Sequence, residues 1–464
     1  MNTSSKALSG FCVVVALLAA YPRALEAATS QALADAREQL RQAYAADEPG
    51  AAVLVMEKGE VILREGYGLA NMEWDITVTP KTVFRIGSIT KQFTSAAIML
   101  LQEQGKLSVT DSISKYLPDY PTHGHEITIE HLLTHTSGIM SYTNISGYMG
   151  GGDIRHDVST EELIEVFVDL PMEFAPGSSW NYNNSGYVLL GAIIENVSGE
   201  TYPGFIEKHI AEPLGLDNTS YENSSLVRNR AAGYAMNDEG AYENAGYLSM
   251  TQPHSAGSLI STVDDLAAWN DALVNGALIS RESYEQMTRG FRLTDGELFP
   301  YGFGLGLGKL RGQSTIEHSG GIHGFSAYGL WYPGQQVYVV VLTNANGHTP
   351  SPTTVGKKVA AAIIGDPYPE RTAMPLDNTQ MSRYVGRYVG EGAPPVEISI
   401  VDGGLQMDFG GFSTFDLKAE SPDTFFVDDS LVYIDVLWEG AAVASLAVYF
   451  SEGEPPTVLT PVRE

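Results

Sequence analysis

Ser88 and Lys91 stand three residues apart at the start of an apolar segment, and this pair of residue types can produce a nucleophile. A serine hydroxyl is a weak nucleophile at neutral pH and needs a base within hydrogen-bonding distance. Side chains three residues apart are neighbours on a helix. The Lys91 amine can therefore be that base if burial or nearby cations lower its pKa. The spacing predicts a serine hydrolase that forms an acyl-enzyme on Ser88.

Ser-x-x-Lys is a short motif of low specificity, and the chain contains a second copy at Ser112 and Lys115. The second copy lies in a polar segment that ends at Pro118, which is typical of the end of a surface helix. Ser88 instead follows Gly87 and opens a long apolar helix, where its hydroxyl lies near the positive end of the helix dipole. This context favours Ser88 as the nucleophile.

The leaving group of such a reaction must receive a proton, and Tyr182 is a candidate to transfer it. Asn184, two residues later, has a side-chain amide that can orient the substrate and the lysine. The Tyr-x-Asn pattern recurs at Tyr142, Tyr221 and Tyr242, where it fits exposed loop tyrosines. Tyr182 is preferred because it follows a Pro-Gly turn and directly precedes an apolar helix.

A third group of candidates is His318, Gly320 and Gly321, just before a predicted strand at residues 326–331. The scissile carbonyl needs hydrogen-bond donors for its oxyanion. The backbone N–H groups of Gly321 and Ser88 can supply them, because glycine lets a substrate approach the backbone closely. Taken alone, the same residues also fit a glycine hairpin turn with an exposed histidine.

The segments around these residues predict an α+β fold, in which a mixed antiparallel sheet is flanked by helices and a helical region. A hairpin is predicted at residues 52–65, and strands at 326–331 and 337–342 pair late in the segment. Helices are predicted at 31–44, from Ser88 to near Gly105, and at 128–133, 187–197, 262–269 and 352–364. Gly199 is expected to end the helix at 187–197, and Thr262 is expected to cap the helix that follows it. A glycine-rich loop at 147–152 can border a pocket. Strands at both ends of the segment indicate one sheet that its first and last elements close.

After residue 365 the sequence changes from alternating helices and strands to a proline-containing segment and then short strands. Residues 366–379 contain three prolines and are predicted to be a linker. Short strands at regular spacing follow, which predicts a small antiparallel β-barrel module at residues 380–464. The serine hydrolase domain is accordingly predicted to span residues 28–365.

Residues 1–27 have the pattern of a secretory signal peptide, with Lys6, an apolar core and a small-residue cleavage site. The protein is therefore expected to be periplasmic or secreted. The apolar core is too short for a comfortable membrane span, and no later segment is long enough. Cys12 is the only cysteine and lies within this segment, so the mature chain is expected to contain no disulfide and no cysteine nucleophile.

The chain has 27 Lys and Arg against 56 Asp and Glu, which gives a formal charge of −29. Such a surface repels nucleic acid and anionic lipid. The expected partner is a small-molecule or peptide substrate, and the simplest interpretation of the acidic surface is a solvated coat that favours solubility.

Four histidines raise a metal-dependent alternative, since His131 and His135 are spaced four residues apart and His123 and His125 lie nearby. The glutamate of a His-Glu-x-x-His motif is missing, and capping or turn roles also explain these residues. No metal and no cofactor is predicted.

Together the motifs resemble the serine β-lactamase and penicillin-binding-protein superfamily, which has Ser-x-x-Lys, Tyr/Ser-x-Asn and Lys-Thr-Gly motifs. The nearest resemblance is to its class C β-lactamase branch, with D-alanyl-D-alanine carboxypeptidases, D-aminopeptidases and esterases. The matching segments are Phe84-Arg85-Ile86-Gly87-Ser88-Ile89-Thr90-Lys91, His131-Leu132-Leu133-Thr134-His135-Thr136-Ser137-Gly138, Phe174-Ala175-Pro176-Gly177, Tyr182-Asn183-Asn184-Ser185-Gly186-Tyr187 and His318-Ser319-Gly320-Gly321.

The resemblance implies that Ser88 is the nucleophile, Lys91 the base for acylation and Tyr182 the general base or acid. It also implies that Asn184 holds the substrate amide. The module after the linker resembles the lipocalin-like barrel found on many such hydrolases.

One departure from the family bears on the substrate, because no Lys-Ser/Thr-Gly occurs and His318 stands where the family has lysine. That lysine helps to bind a substrate carboxylate. A histidine is mostly neutral at pH 7 unless a carboxylate raises its pKa, and Glu317 is predicted to lie on the opposite strand face. The resemblance thus favours a D-amino-acid-specific carboxypeptidase or aminopeptidase. A carboxylesterase, a weak class C-like β-lactamase and a non-catalytic peptidoglycan or β-lactam sensor are the alternatives.

Overall fold

The computed structural model describes residues 30–237, 239–411, 414–450 and 455–462. The predicted signal peptide at residues 1–27, with Cys12, lies outside the described residues. Residues 30–43 form a helix, α1, which confirms the helix predicted at residues 31–44. Within the described ranges, no helix combines the length and the apolar character that a membrane crossing needs.

A six-stranded sheet lies at the centre of the first part of the chain, and its strands follow the order β3-β4-β5-β6-β1-β2. Each neighbouring pair is antiparallel. The predicted closure by the first and last elements is confirmed, because β1 pairs with β6 and places Ala51 opposite Thr343. The strands are β1 (Ala51–Glu57), β2 (Glu60–Tyr67), β3 (Gly306–Leu310), β4 (Gln313–Ile322), β5 (Phe325–Tyr332) and β6 (Val337–Thr343).

Strand β1 is buried on both faces, which explains its nearly continuous apolar sequence. Side chains alternate between the two faces of a strand. Ala52, Leu54 and Met56 contribute to the core that the sheet shares with the helical region. Val53 and Val55 contribute to a second core on the other face, under α1 and a late helix, α11.

The helices lie on both faces of this sheet and in a separate helical region. Helix α9 packs against β1 and β6, and α11 packs against β5 and β6. Within the helical region, α5 contacts α2, α3 and α8. The helices after α1 are α2 (Thr90–Glu103), α3 (Ile129–Leu133), α4 (Thr160–Glu165), α5 (Asn184–Ser198), α6 (Tyr202–Ile206), α7 (Glu212–Leu214), α8 (His254–Gly257), α9 (Val263–Val274), α10 (Arg281–Met287), α11 (Pro352–Ile363) and α12 (Asn378–Met381).

Several helix ends follow the predicted signals. Helix α5 ends where Gly199 adopts a left-handed conformation with a φ of 74°. Helix α9 begins after Thr262, whose side chain accepts a hydrogen bond from the backbone N–H of Asp265. The hairpin between β1 and β2 turns at Lys58 and Gly59, both of which have positive φ.

The C-terminal residues form a closed antiparallel barrel, as predicted. Its interior is filled by apolar side chains, among them Val396, Met407, Val448 and Leu459, each with no exposed surface. The strands are β7 (Gly386–Val389), β8 (Val396–Val401), β9 (Gly404–Phe409), β10 (Thr414–Ser421), β11 (Thr424–Val427), β12 (Tyr433–Glu439), β13 (Ala442–Tyr449) and β14 (Thr457–Pro461). The sequence predicts strands at residues 384–388, 396–400, 404–407, 425–427 and 431–438, which correspond to β7, β8, β9, β11 and β12. Strands β10, β13 and β14 were not predicted, because β10 and β14 mix polar and apolar residues and β13 is rich in alanine.

The segment at residues 366–379 contacts the barrel at two points. The backbone N–H of Met374 donates to the carbonyl of Ala419 over 2.7 Å, and Arg371 pairs with Glu420. The predicted domain limits at residues 365 and 379 stay a prediction.

A charged pair joins α11 to the sheet. Lys357 Nζ lies 2.9 Å from Glu317 Oε1, and the two side chains are 10% and 17% exposed. The hydroxyls of Tyr328 and Thr315 also donate to Glu317, over 2.9 and 3.0 Å. Glu317 therefore faces α11, on the side of β4 opposite His318, as the alternation along a strand predicts.

We expect Lys357→Met to lower the free energy of unfolding by about 3 kcal/mol, because Glu317 then keeps its charge in a nearly buried position without a cation. Lys358→Met is the matched control. Lys358 is half-buried, the described residues show no ion pair for it, and its replacement should change stability by less than about 0.5 kcal/mol. Urea unfolding followed by tryptophan fluorescence measures both. Equal effects of the two substitutions would show that the ion pair contributes nothing.

Candidate active site

Ser88 lies in a 3₁₀ turn, Gly87–Ile89, immediately before α2. The preceding short strand, Phe84–Arg85, pairs with Leu259–Ser261 and directs the chain into this turn. Gly87 has a φ of 49°, and a Cβ at this position would lie 2.9 Å from the backbone nitrogen of Gly321. Glycine is therefore required here both by conformation and by space.

Lys91 is fully buried and makes three polar contacts. Its Nζ lies 3.0 Å from Ser88 Oγ, 2.8 Å from Asn184 Oδ1 and 2.9 Å from the carbonyl oxygen of Ala256. Burial holds the pKa of Lys91 well below the usual 10.5. A neutral amine has two N–H donors for Asn184 and Ala256 and one lone pair for the Ser88 proton, so these contacts suit a general base.

Tyr182 lies beside this pair, with its ring centroid 4.7 Å from Lys91 Nζ. Its hydroxyl oxygen is buried and has no hydrogen-bond partner among the described residues. Burial raises the pKa of this phenol, although the nearby Ser88 side chain favours the phenolate. Tyr182 is thus a protonated phenol at neutral pH, and its buried hydroxyl lies beside the Ser88 side chain.

Asn184 is the first residue of α5, and its side chain is fixed at both ends. Its Oδ1 faces Lys91, while its Nδ2 donates to Thr143 Oγ1 over 3.0 Å. The preceding residue, Asn183, caps α5 by accepting from the N–H of Gly186 over 2.7 Å. The structure thus brings Ser88, Lys91, Tyr182 and Asn184 together.

His318 lies within β4 and is 7% exposed, so the alternative of an exposed histidine in a hairpin turn is wrong. The reason is that β4 continues through the glycines to Ile322 and pairs with β5 from Ile316 to Ile322. Burial, and secondly repulsion from Lys91 whenever that amine is protonated, lower the pKa of His318 to about 4. The His318 ring is therefore neutral at pH 7.

Gly320 and Gly321 bring β4 against the turn that contains Ser88. A Cβ on Gly320 would lie 2.0 Å from the carbonyl oxygen of Ile86, so only glycine permits this approach. Gly321 has no such neighbour and lines the cavity next to Ser88.

A cavity of about 360 Å³ opens over Ser88, Asn184 and Gly321. Met149, from the glycine-rich loop at residues 147–152, lines it, as the prediction of a pocket-bordering loop requires. Among the described residues, no Lys, Arg, Asp or Glu lines this cavity. His323 lines it, and burial together with the charge of Arg85 lowers the pKa of that imidazole.

The interpretation of Tyr142 as an exposed loop tyrosine is wrong. It is 2% exposed, lines the cavity, and donates its hydroxyl to the carbonyl of Gln252 over 2.7 Å. The ring packs on Phe167 at a centroid distance of 6.2 Å, which draws the short turn at residues 142–144 inward. The one sequence feature that could have indicated a place for Tyr142 at the cavity is that it repeats the Tyr-x-Asn pattern.

The second Ser-x-x-Lys has the surface character predicted for it. Ser112 caps a 3₁₀ turn by accepting from the N–H of Ser114, and Lys115 pairs with Asp111 at 2.9 Å. The Lys115 side chain is 57% exposed, and its contacts with Tyr116 and Asp111 raise the pKa of its amine.

His131 and His135 have separate roles in the structure. His131 Nδ1 accepts from the backbone N–H of Thr128 over 3.2 Å, in a capping box. His135 Nδ1 accepts from the backbone N–H of Asn183 over 3.1 Å. Within the described part of the chain, no three His, Cys, Asp or Glu side chains come together as a metal site.

The geometry matches a known family. The Beta-lactamase family profile matches residues 31–362. The chain belongs to the beta-lactamase family. Its relatives include penicillin-binding protein 4* of Bacillus subtilis (strain 168), which is 29% identical over 431 residues, or 88% of this chain and 94% of the relative.

Two solved structures show the same relationship. The chain is 28% identical to the octameric penicillin-binding protein homologue from Pyrococcus abyssi, with a TM-score of 0.66 over 93% of this chain and 99% of the other. It is also 28% identical to a D-stereospecific amidohydrolase from Streptomyces sp., with a TM-score of 0.59 over 72% of this chain and 97% of the other. The chain is a serine hydrolase of the β-lactamase and penicillin-binding-protein type.

We expect Gly320→Ala to destabilise this hydrolase by about 1–3 kcal/mol, because the new methyl group overlaps the carbonyl oxygen of Ile86 and pushes β4 away from the Ser88 turn. Gly321→Ala is the matched control, since its Cβ meets nothing within 4 Å. Thermal unfolding compares the two proteins. A melting temperature for Gly320→Ala equal to that of Gly321→Ala would contradict the close approach.

The rate at which an activated phosphonate labels the protein should rise with pH and then level off. We expect the deprotonated Lys91 amine to act as the base, and burial lowers its pKa, so the midpoint should lie below 10.5. Lys91→Met should slow labelling by about 10²–10⁴-fold, while Lys115→Met should leave the rate and its pH profile unchanged. A rate that still climbs through pH 10.5 would show that Lys91 keeps an ordinary pKa.

Proposed function

We propose that the protein hydrolyses amide or ester bonds of D-amino-acid derivatives through an acyl-enzyme on Ser88, and that it acts as an amidase or aminopeptidase in preference to a carboxypeptidase. The observation behind the proposal is the buried Lys91 amine, which lies between Ser88 Oγ and two neutral acceptors. A serine with such a partner is suited to nucleophilic catalysis.

Acylation follows from this arrangement. Lys91 takes the Ser88 proton as Oγ attacks the substrate carbonyl, and the negative charge on the carbonyl oxygen develops beside the backbone of Ser88 and Gly321. The C–N or C–O bond to the leaving group then breaks. The departing amine or alcohol receives a proton from the Tyr182 hydroxyl. Lys91 then passes the proton that it took from Ser88 to Tyr182, and the acyl group stays on Ser88.

Deacylation repeats the sequence with water. The Tyr182 and Lys91 pair removes a proton from a water molecule, the resulting hydroxide attacks the ester carbonyl, and Ser88 leaves with the proton. Asn184 keeps the Lys91 amine in place and offers its amide edge to the substrate.

The absence of charge in the cavity selects among substrate classes. Carboxypeptidase substrates and β-lactams carry a carboxylate near the scissile bond, and a buried carboxylate needs a cation or several donors. None of the described residues that line the cavity is Lys or Arg, and His318 is neutral. The formal charge of −29 further disfavours anionic substrates. Amides and esters without a carboxylate meet neither obstacle.

Stereochemistry and location are inferred by different routes. The similarity to a D-stereospecific amidohydrolase, at 28% identity over 72% of this chain, supports D-amino-acid substrates. The apolar side chains of Met149, Leu248 and Ile322 in the cavity also suit the acyl group of a carboxylester, which supports an esterase as the second candidate. The pattern of residues 1–27 supports a periplasmic or secreted location.

The test measures labelling and turnover with the same purified protein. A fluorophosphonate adduct should map to Ser88, and Ser88→Ala should abolish both labelling and hydrolysis. Ser112→Ala, which alters the other Ser-x-x-Lys, should retain both. Labelling at any other residue would overturn the assignment. An acyl adduct that forms on Ser88 but is never released would indicate a sensor instead of an enzyme.

A substrate panel tests the specificity. We expect kcat/KM for a D-amino-acid p-nitroanilide to exceed that for its L-isomer and for an acyl-D-alanyl-D-alanine peptide by about tenfold or more. A p-nitrophenyl ester should also be hydrolysed, and nitrocefin only weakly. Faster release of the C-terminal D-alanine would show that the site accepts a carboxylate after all.

A further inference from the structure

A continuous series of hydrogen bonds connects two walls of the active site. The backbone N–H of Asn183 lies 3.1 Å from His135 Nδ1, and His135 Nε2 lies 3.2 Å from the hydroxyl of Tyr301. The same hydroxyl lies 2.8 Å from His318 Nε2, and His318 Nδ1 lies 2.6 Å from the carbonyl oxygen of Ser319. Each ring nitrogen therefore has one partner.

The two ends determine the direction of every bond in this series. A backbone N–H can only donate, so His135 Nδ1 accepts and its proton is on Nε2, which donates to Tyr301. A carbonyl can only accept, so the His318 proton is on Nδ1 and Nε2 accepts from Tyr301. The Tyr301 hydroxyl thus accepts from His135 and donates to His318, and the two ends agree on a single arrangement.

This arrangement needs both imidazoles neutral. A protonated His135 would direct Nδ1–H at the N–H of Asn183, and a protonated His318 would direct a second N–H at the Tyr301 oxygen. His135, Tyr301 and His318 are 1%, 7% and 7% exposed, so water cannot easily substitute for a lost partner. Burial lowers the pKa of both histidines and raises that of Tyr301, which agrees with the neutral forms.

The series joins the residues on which the proposed chemistry depends. Asn183 lies between Tyr182 and Asn184, and the backbone N–H of Asn181 also donates to the carbonyl of His135 over 3.1 Å. At the other end, Ser319 precedes Gly320, which packs on Ile86 next to the nucleophile. No strand pairing connects these two walls among the described residues.

We propose that Tyr301 is a positioning residue, whose hydroxyl sets the spacing between the Tyr182–Asn184 loop and β4 and holds His318 in the Nδ1-protonated, neutral form. The proposal rests on the proposed function, because Tyr301 acts on the reaction only through Tyr182, Asn184 and the backbone of β4. In this proposal His318 is a neutral residue that holds β4 in position, and it does not bind substrate as a cation.

The tautomers provide a test that does not depend on activity. Nitrogen NMR of protein labelled with ¹⁵N-histidine should show His318 protonated on Nδ1 and His135 protonated on Nε2. Neither resonance should titrate between about pH 6 and pH 8. His318→Gln and His135→Gln assign the signals. The opposite tautomer at either residue, or titration of His318 near 6.5, would overturn the proposal.

Tyr301→Phe removes the hydroxyl and retains the ring between His135 and His318. We expect kcat to fall by about 10- to 100-fold, because the catalytic side chains lose their mutual register, while KM changes by less than about threefold. The His318 signal should lose its single-tautomer pattern in this variant. Unchanged kinetics and an unchanged tautomer in Tyr301→Phe would both count against the proposal.

Tyr328→Phe is the matched control, because it removes a buried hydroxyl that donates to Glu317 on the other face of the same strand. It should lower stability to a similar extent and leave kcat and both tautomers unchanged. If the two variants lose activity equally, Tyr301 has only a structural role. If Ser88→Ala retains activity while the tautomers are as expected, the proposed function fails and the series of hydrogen bonds stands.

Discussion

A lysine amine buried without a carboxylate partner is the constraint on which the rest of the site depends. Removing an ammonium group from water is costly unless it is paired, so the group shifts toward its neutral form. The contacts of Lys91 are a hydroxyl, an amide oxygen and a carbonyl oxygen, and none of them carries a charge. A neighbouring carboxylate would stabilise the ammonium form and remove the base. The composition of the surroundings therefore determines the reactivity of Ser88.

The three polar partners of Lys91 come from three separate helical segments, and close packing holds those segments together. Helix α8 supplies the carbonyl of Ala256 and is held in turn by α2 and α5. Thr94 donates to the carbonyl of Ser255 over 2.7 Å, and the Ser255 hydroxyl donates to the carbonyl of Tyr187 over 2.8 Å. A Cβ on Gly191 would lie 2.2 Å from that hydroxyl, so a glycine in α5 permits the contact.

Strand β4 separates two electrostatic environments. On the face toward α11, Glu317 and Lys357 form an ion pair that stabilises the packing of the helix. On the face toward the active site, His318 is neutral and both of its ring nitrogens are engaged. Adjacent residues can differ in this way because successive side chains of a strand point to opposite faces. The charge needed for packing is thereby kept away from the buried amine, whose pKa it would otherwise raise.

Local patterns in the sequence were sufficient to predict many of the helices and strands. Apolar periodicity, caps and turn residues predicted α1, the β1–β2 hairpin, α5 with its end at Gly199, and the barrel. The spacing of Ser88 and Lys91 indicated their contact, because three residues on a helix bring two side chains together. Asn184 and Ala256, which contact Lys91, are distant from it in sequence. No local pattern predicts which distant segments come into contact. The alternation along β4 placed Glu317 and His318 on opposite faces.

Only the tertiary structure decided the burial of Tyr142 and the joining of His135, Tyr301 and His318. Tyr301 belongs to no motif, and its role appears only where strands and loops from three regions converge. The Tyr-x-Asn pattern at Tyr142 is the same as that at Tyr182, so the pattern does not predict burial. The packing of the Tyr142 ring on Phe167 turns Tyr142 inward. Desolvation and hydrogen-bond direction depend on all neighbouring atoms at once, whereas periodicity and motif spacing depend on the chain alone. For this reason the sequence determined which residues could react, and the fold determined their charge and orientation.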